Sequence, residues 1–187
     1  SFRPSLSTTG ANAEATNIRV IANVIKGGNS ALAFVGCVSC LVANNTILDP
    51  TDFPLRILQE SVTGDGWTFA PCGDGRVLNN IIFYTVDSID AYVNVGDDTA
   101  PKTFVFTNNL WYARDWPAFS EPQQLPVNET YGVYGVDPLF GGEASDDYTI
   151  TGTGGAAFMG SNVAEIGADY QGLCYRTPPS IGAFEVP

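Results

Sequence analysis

The sequence predicts an all-β solenoid, a parallel β-helix, on three observations: a recurring Asn-bearing strand, a second strand at near-constant distance behind it, and a composition of β-formers and turn residues. Four segments look alike, RVIANVI around Asn23, LVANNTI around Asn45, RVLNNII around Asn80 and VFTNNLW around Asn109, spaced 22, 35 and 29 residues apart. A second strand follows the first three: ALAFVG (31–36), LRILQE (55–60) and AYVNVG (91–96). Its centres, Phe34, Ile57 and Val93, lie 11, 12 and 13 residues after the Asn. Each unit is therefore an Asn strand, a bend, a second strand and a variable loop that absorbs the difference in interval. One such unit cannot bury its apolar face, but stacked units build a continuous core. Asn suits the bend because its amide bonds the Asn above and below and tolerates a left-handed backbone, so Asn23, Asn45, Asn80 and Asn109 are expected to form a ladder.

The composition agrees. The chain has 187 residues, 44% of them hydrophobic, with 20 Gly and 12 Pro. That is enough to bury a core in one domain, and there are no helix-forming runs of Ala, Glu, Lys and Leu. The net charge of −12 argues against a nucleic-acid partner, which would need a basic stripe, and against a plain electrostatic trap for anionic polysaccharide. No run of apolar residues is long enough to span a membrane. The chain contains no His, which excludes His-based triads and His metal sites. Cys37, Cys40, Cys72 and Cys174 allow three pairings, and spacing does not choose among them. Cys37 and Cys40 have CxxC spacing without a βαβ context or a second CxxC, so buried thiols or disulfides are expected. The sequons at Asn44 and Asn128 are discounted, Asn44 being expected inside the sheet stack. Ser1 begins in mid-pattern, so the chain is expected to be a mature or truncated product whose N-terminal face exposes strand edges open to self-association.

The tail carries VDPLF (136–140), DYTI (147–150), ADYQG (168–172) and PPSIGAFE (178–185). With these pieces, residues 136–187 resemble the C-terminal cap of secreted bacterial right-handed parallel β-helix proteins of the pectate-lyase-like superfamily. The stretch from LRILQE through the segment ending in ARDWP (55–117) is similar to functionally uncharacterised members of that group. The resemblance implies a right-handed helix with coils and loop insertions over 1–135 and final strands with a cap over 136–187. It also implies a secreted or cell-surface bacterial location and carbohydrate as the partner. Lyases, hydrolases and adhesins share this architecture, so fold alone does not select an activity.

Candidate chemistry follows from stacking the second strands. With Ala33, Ile57 and Val93 inward, Leu32, Arg56 and Tyr92 share one outward column, Phe34, Leu58 and Asn94 the next, then Gly36, Glu60 and Gly96. Arg56, Glu60, Tyr92 and Asn94 together suit a sugar: a flat ring with polar groups for hydroxyls or a uronate. In a polysaccharide lyase a basic group or Tyr removes the proton beside a carboxylate that Arg neutralises, which makes Arg56 and Tyr92 the catalytic candidates. Asp97 and Asp98 follow Gly96 as in the acidic motif of polygalacturonases, without that family's His- and Arg-containing motifs. Asp65, Asp74, Asp97 and Asp98 lie in Gly-rich loops of the kind that hold Ca²⁺. The long loops 61–75 and 114–130 carry Trp67 and Trp116, expected either to pack down as lids or to wall a groove over the second-strand sheet. The leading expectation is a carbohydrate-interacting secreted protein, part of a polysaccharide lyase or glycoside hydrolase or a binding module. The alternative is a non-catalytic structural or adhesin-like module.

Overall fold

The computed structural model describes residues 6–64 and 66–187. It is all-β, its only helical pieces among the described residues being four short 3₁₀ turns. Three parallel sheets organise it. Sheet A runs Arg19–Ile21, Leu41–Ala43, Arg76–Leu78, Val105–Thr107. Sheet B runs Val24–Lys26, Thr46–Leu48, Ile81–Tyr84, Leu110–Ala113, Val133–Tyr134. Sheet C runs Ser30–Val35, Phe53–Leu58, Val93–Val95. Successive repeats thus send one strand into A, one into B and, in the first three, one into C. The strands Arg19–Ile21, Val24–Lys26 and Ser30–Val35 each end their sheet.

The passage from A to B is one residue with left-handed backbone, at Ala22, Asn44, Asn79, Asn108 and Tyr131 with φ of 51–55°. Asn adopts that conformation more readily than most residues. The following residue turns inward. Asn23 donates through N and Nδ2 to Asn45 Oδ1, both at 3.0 Å. Asn45 does the same to Asn80 Oδ1 at 3.0 and 2.9 Å, and Asn80 to Asn109 Oδ1 at 2.9 Å each. Each of these Nδ2 groups also reaches a backbone carbonyl nearby, Val20 and Ala43 for Asn45 and Val42 for Asn80. The first Asn of each pair points the other way, into the tail: Asn44 Nδ2 to Ser180 O, Asn79 Nδ2 to Ser161 O and Asn108 Nδ2 to Met159 O. The Asn-Asn dipeptide is therefore a two-sided fastener, its inward member bonding the ladder and its outward member the tail.

The core lies between the sheets, where Val42, Val77 and Phe106 of A, Ile47, Ile82 and Trp111 of B and Phe34, Leu55, Ile57 and Val93 of C meet. Sheet B is apolar on both faces, since Leu48, Ile81, Phe83 and Leu110 point outward. A sheet of that kind must be covered on its second side. Tyr148, Ile150, Ala156, Ile181, Ala183 and Phe184 cover it, and Val163 and Ile166 cover Leu41 and Leu78 on sheet A. Residues 136–187 therefore lie along the flank of sheets A and B, which corrects their expected place across the end. The outward apolar face of B, not the end of the stack, is what draws them. The tail begins with an antiparallel pair, Phe140–Gly142 with Asp147–Ile150. Two buried carboxylates then hold its turns: Asp169 accepts from the backbone N of Gln171, Leu173 and Glu185, and Glu185 from Ser180 and Arg176. An exposed ion pair, Lys26–Asp146, and a half-buried one, Arg76–Glu165, add ties to the sheets. The end of the core beyond Trp111 is closed instead by Leu125 and Val127 of the second insertion and by Tyr134.

Because Asn80 is fully buried and central, Asn80→Ala strips Asn45 N of its acceptor, removes one acceptor from Asn45 Nδ2, and takes a donor from Asn109 Oδ1 and from Val42 O. It is expected to lower unfolding free energy by about 3 kcal/mol or more, against under about 1 kcal/mol for Asn23→Ala at the exposed end. Urea denaturation of the two variants measures the difference.

Candidate functional site

Sheet C has one face in the core and one in solvent, so its outward side chains are available. The pairing is Leu32–Leu55–Val93 inward, Ala33–Arg56–Asn94 outward, Phe34–Ile57–Val95 next. This corrects the expected columns. Ala33, not Leu32, stands beside Arg56, a slip of one residue, and Asn94 takes the place expected of Tyr92, a slip of two. Arg56 Nε donates to Asn94 Oδ1 at 3.0 Å and its guanidinium lies 5.2 Å from the centre of the Phe53 ring. Tyr92 turns into the core, its ring 5.8 Å from both Tyr84 and Trp111 in edge-on contact. The two catalytic candidates thus point to different sides of the sheet. Glu60 lies exposed beyond the end of Phe53–Leu58.

The insertions part company. Residues Trp67–Phe69 pair antiparallel with Thr63–Gly64 and parallel with Ala11–Asn12, so the half-buried Trp67 belongs to a small sheet with the N-terminal segment. The second insertion borders the edge of sheet C. Asp115 accepts from Val86 N at 3.0 Å and Tyr84 Oη donates to Ser120 O at 3.2 Å. Trp116 and Phe119 stay 54% and 51% exposed, ring centres 3.8 Å apart, as an aromatic pair on its surface.

Two polar cavities flank that insertion. One, of about 290 Å³, lies at the edge of Val93–Val95 and is lined by Val86, Ile89, Asp90, Ala91, Tyr92, Val93, Gln123 and Gln124. The other, of about 430 Å³, is lined by Glu121, Pro122, Gln124, Leu125, Val127, Asn128, Glu129 and Tyr134. Gln124 belongs to both, so the cavities adjoin, and neither is lined by Lys or Arg. Their groups are amides, carboxylates and phenols, a set that donates to and accepts from hydroxyls and repels anions.

Glu129 is the residue that the repeat pattern missed. Leu110 pairs with Val133, which places Gly132 opposite Asn109 at the ladder position. Gly132 has no amide to offer, and a Cβ there would collide with the Tyr134 hydroxyl. The Glu129 carboxylate reaches into the gap, accepting from Asn109 N and Nδ2 at 3.0 and 2.7 Å and from Trp111 Nε1 at 2.8 Å. Tyr134 Oη adds a longer contact at 3.5 Å. Burial pushes the Glu129 carboxyl above its ordinary value, outweighing these donors. Burial and the Glu129 charge push the Tyr134 phenol up to about 12. The signal in the sequence was a fifth repeat whose ladder position holds no Asn.

The acidic residues proposed for Ca²⁺ are scattered. Asp74 is exposed in left-handed backbone with its N–H on Thr103 Oγ1, Asp97 and Asp98 are exposed in the turn after Val93–Val95, and Asp65 lies outside the described residues. Among the described residues no three Cys, Asp or Glu side chains converge on a point that would hold a metal ion. Among the described residues no helix is long and apolar enough to cross a membrane. Neither a family model, a curated protein nor a solved structure matches the chain.

The Glu129 shift has a signed consequence. A carboxyl raised in the fold binds its proton more tightly there than in the unfolded chain. Its contribution is thus fully present below the unfolded value of 4.5, is lost as pH rises from there to the folded value, and is level above it. Over that window the unfolding free energy of the protein is expected to fall relative to Glu129→Gln, which does not titrate. Thermal melts of both proteins across a pH series check it.

Proposed function

We propose that this chain is a stretch of right-handed parallel β-helix that binds oligosaccharide at the two adjoining cavities beside the edge of sheet C. The observation that carries the reading is the cavity pair joined at Gln124, on an insertion that also carries the exposed Trp116–Phe119 pair. The ladder, the three parallel sheets and the recurring left-handed bend support the β-helix. Amides and carboxylates that hydrogen-bond hydroxyls, with the Tyr92 and Tyr134 rings in the same linings, support a sugar ligand. The absence of Lys and Arg from the lining favours neutral sugars over uronides. Binding is a better fit than lyase chemistry, because Arg56 and Tyr92 do not face one ligand.

Titration with neutral oligosaccharides is expected to change tryptophan fluorescence, while uronides of equal length leave it unchanged. Gln124→Ala should weaken binding about tenfold, the worth of one lost polar contact of ~1.4 kcal/mol, with little change in melting temperature. Unaltered fluorescence with every glycan would favour the structural or adhesin-like module instead. In the same reading, the open edges of Arg19–Ile21, Val24–Lys26 and Ser30–Val35 are where self-association occurs. Sedimentation should then show a concentration-dependent larger species.

A further inference from the structure

Three of the four cysteines share one core cluster, an arrangement that neither the fold nor the glycan reading uses. Cys37 and Cys40 form a disulfide across a tight bend, and Cys72 is a buried free thiol. The register brings the third to the first two. Val38 bridges Gly73 in parallel, Gly73 N donates to Cys37 O at 3.1 Å and Ser39 N to Gly73 O at 3.0 Å. Cys72 therefore occupies in its repeat the position that Cys37 occupies one repeat earlier. Neighbours on adjacent parallel strands stand ~4.8 Å apart, inside the Cα range of about 4.4–6.8 Å that a disulfide spans. Cys40 Sγ accepts a hydrogen bond from Ile18 N at 3.3 Å, a donor that stabilises sulfur carrying negative charge.

We propose that Cys72 is the resolving thiol of an internal thiol–disulfide exchange that converts Cys37–Cys40 into Cys37–Cys72. The Cys72 thiolate attacks Cys37 Sγ, the Cys37–Cys40 bond breaks, and Cys40 leaves as a thiolate held by the Ile18 N–H. The proton given up by Cys72 ends on Cys40 or in solvent, and no oxidant or reductant is consumed. A cross-link closing one bend thereby becomes a staple between consecutive repeats. Cys37 and Cys40 also line an apolar hollow of about 170 Å³ with Ile18, Val20, Leu32 and Phe34. The Cys40 thiol released by exchange therefore appears where a small thiol reagent can enter. Burial pushes the Cys72 thiol up, so exchange accelerates with pH, about tenfold per unit while the thiolate is the minor form.

Peptide mapping reads this directly. Trypsin cleavage after Lys26, Arg56 and Arg76 puts Cys37 and Cys40 on peptide 27–56 and Cys72 on peptide 57–76. The starting disulfide thus lies within one peptide, and the product joins two. The full chain carrying Cys174→Ser, which removes the exposed thiol, is held at a series of pH values up to about 9, acid-quenched, alkylated and digested. The expected result is peptide 27–56 joined to 57–76 with Cys40 alkylated, in an amount that grows with pH and disappears in Cys72→Ser. A Cys40→Ser companion, oxidised with glutathione disulfide, should give the joined pair directly. Peptides that stay separate at every pH, with Cys72 alkylated as a free thiol, overturn the exchange, even where Cys40→Ser forms the cross-link.

Discussion

The file of buried amides at the bend between sheets A and B is the interaction on which the rest depends. There the ladder of backbone hydrogen bonds is interrupted by a left-handed residue, and the groups it frees are out of water. An Asn side chain supplies one oxygen that accepts from the preceding repeat and one NH₂ that donates to the next, so each repeat satisfies its neighbour. Removing a buried partner costs more than a hydrogen bond is worth, because the stranded group keeps its desolvation penalty. That asymmetry holds the repeats in register. It also explains the one irregular element: where the ladder position becomes Gly132, a carboxylate is drawn in from three residues earlier, at the cost of burying a charge.

From that register the distribution of surface follows. Sheet B, apolar on both faces, must be covered and is; its outer face is spent on the tail. Sheet A is partly covered by the same segment. The outward face of sheet C and the edge of its last strand stay open, and they carry the Arg56–Asn94 pair and the first of the two cavities that adjoin at Gln124. The acidic charge of the chain is consistent with that surface, whose cavities have no basic side chain to hold an anion. The same register sets Cys72 beside Cys37, so the thiol exchange and the glycan contact proposed for this chain fall at different places in one stack.

Much of this was legible in the sequence and some was not, for physical reasons. The repeat is visible because Asn recurs before an apolar run, and a second strand is visible because β-branched and aromatic residues cluster at a near-constant distance after it. The register of Val93–Val95 was not. Side chains alternate with a period of two, so a slip of two residues leaves Val93 inward and Asn94 outward as expected and no pattern detects it. The slip of one at Ser30–Val35 escaped because ALAF offers apolar residues to either face. Glu129 was hidden by its residue type, since nothing about a Glu in a polar loop announces that it completes an Asn file.

What the sequence determined by itself is the all-β class, the recurring unit and the positions of the ladder asparagines, because these follow a local pattern: residues that fit a pleated strand, a left-handed bend that Asn tolerates, and the ladder Asn directly after it. The tertiary structure alone decided that the tail lies along the flank of sheets A and B, that the second insertion closes the end and opens the cavities, and that Arg56 meets Asn94 while Tyr92 turns inward. Those outcomes depend on which apolar faces remain uncovered once the repeats have stacked, and that quantity exists only when distant segments have met.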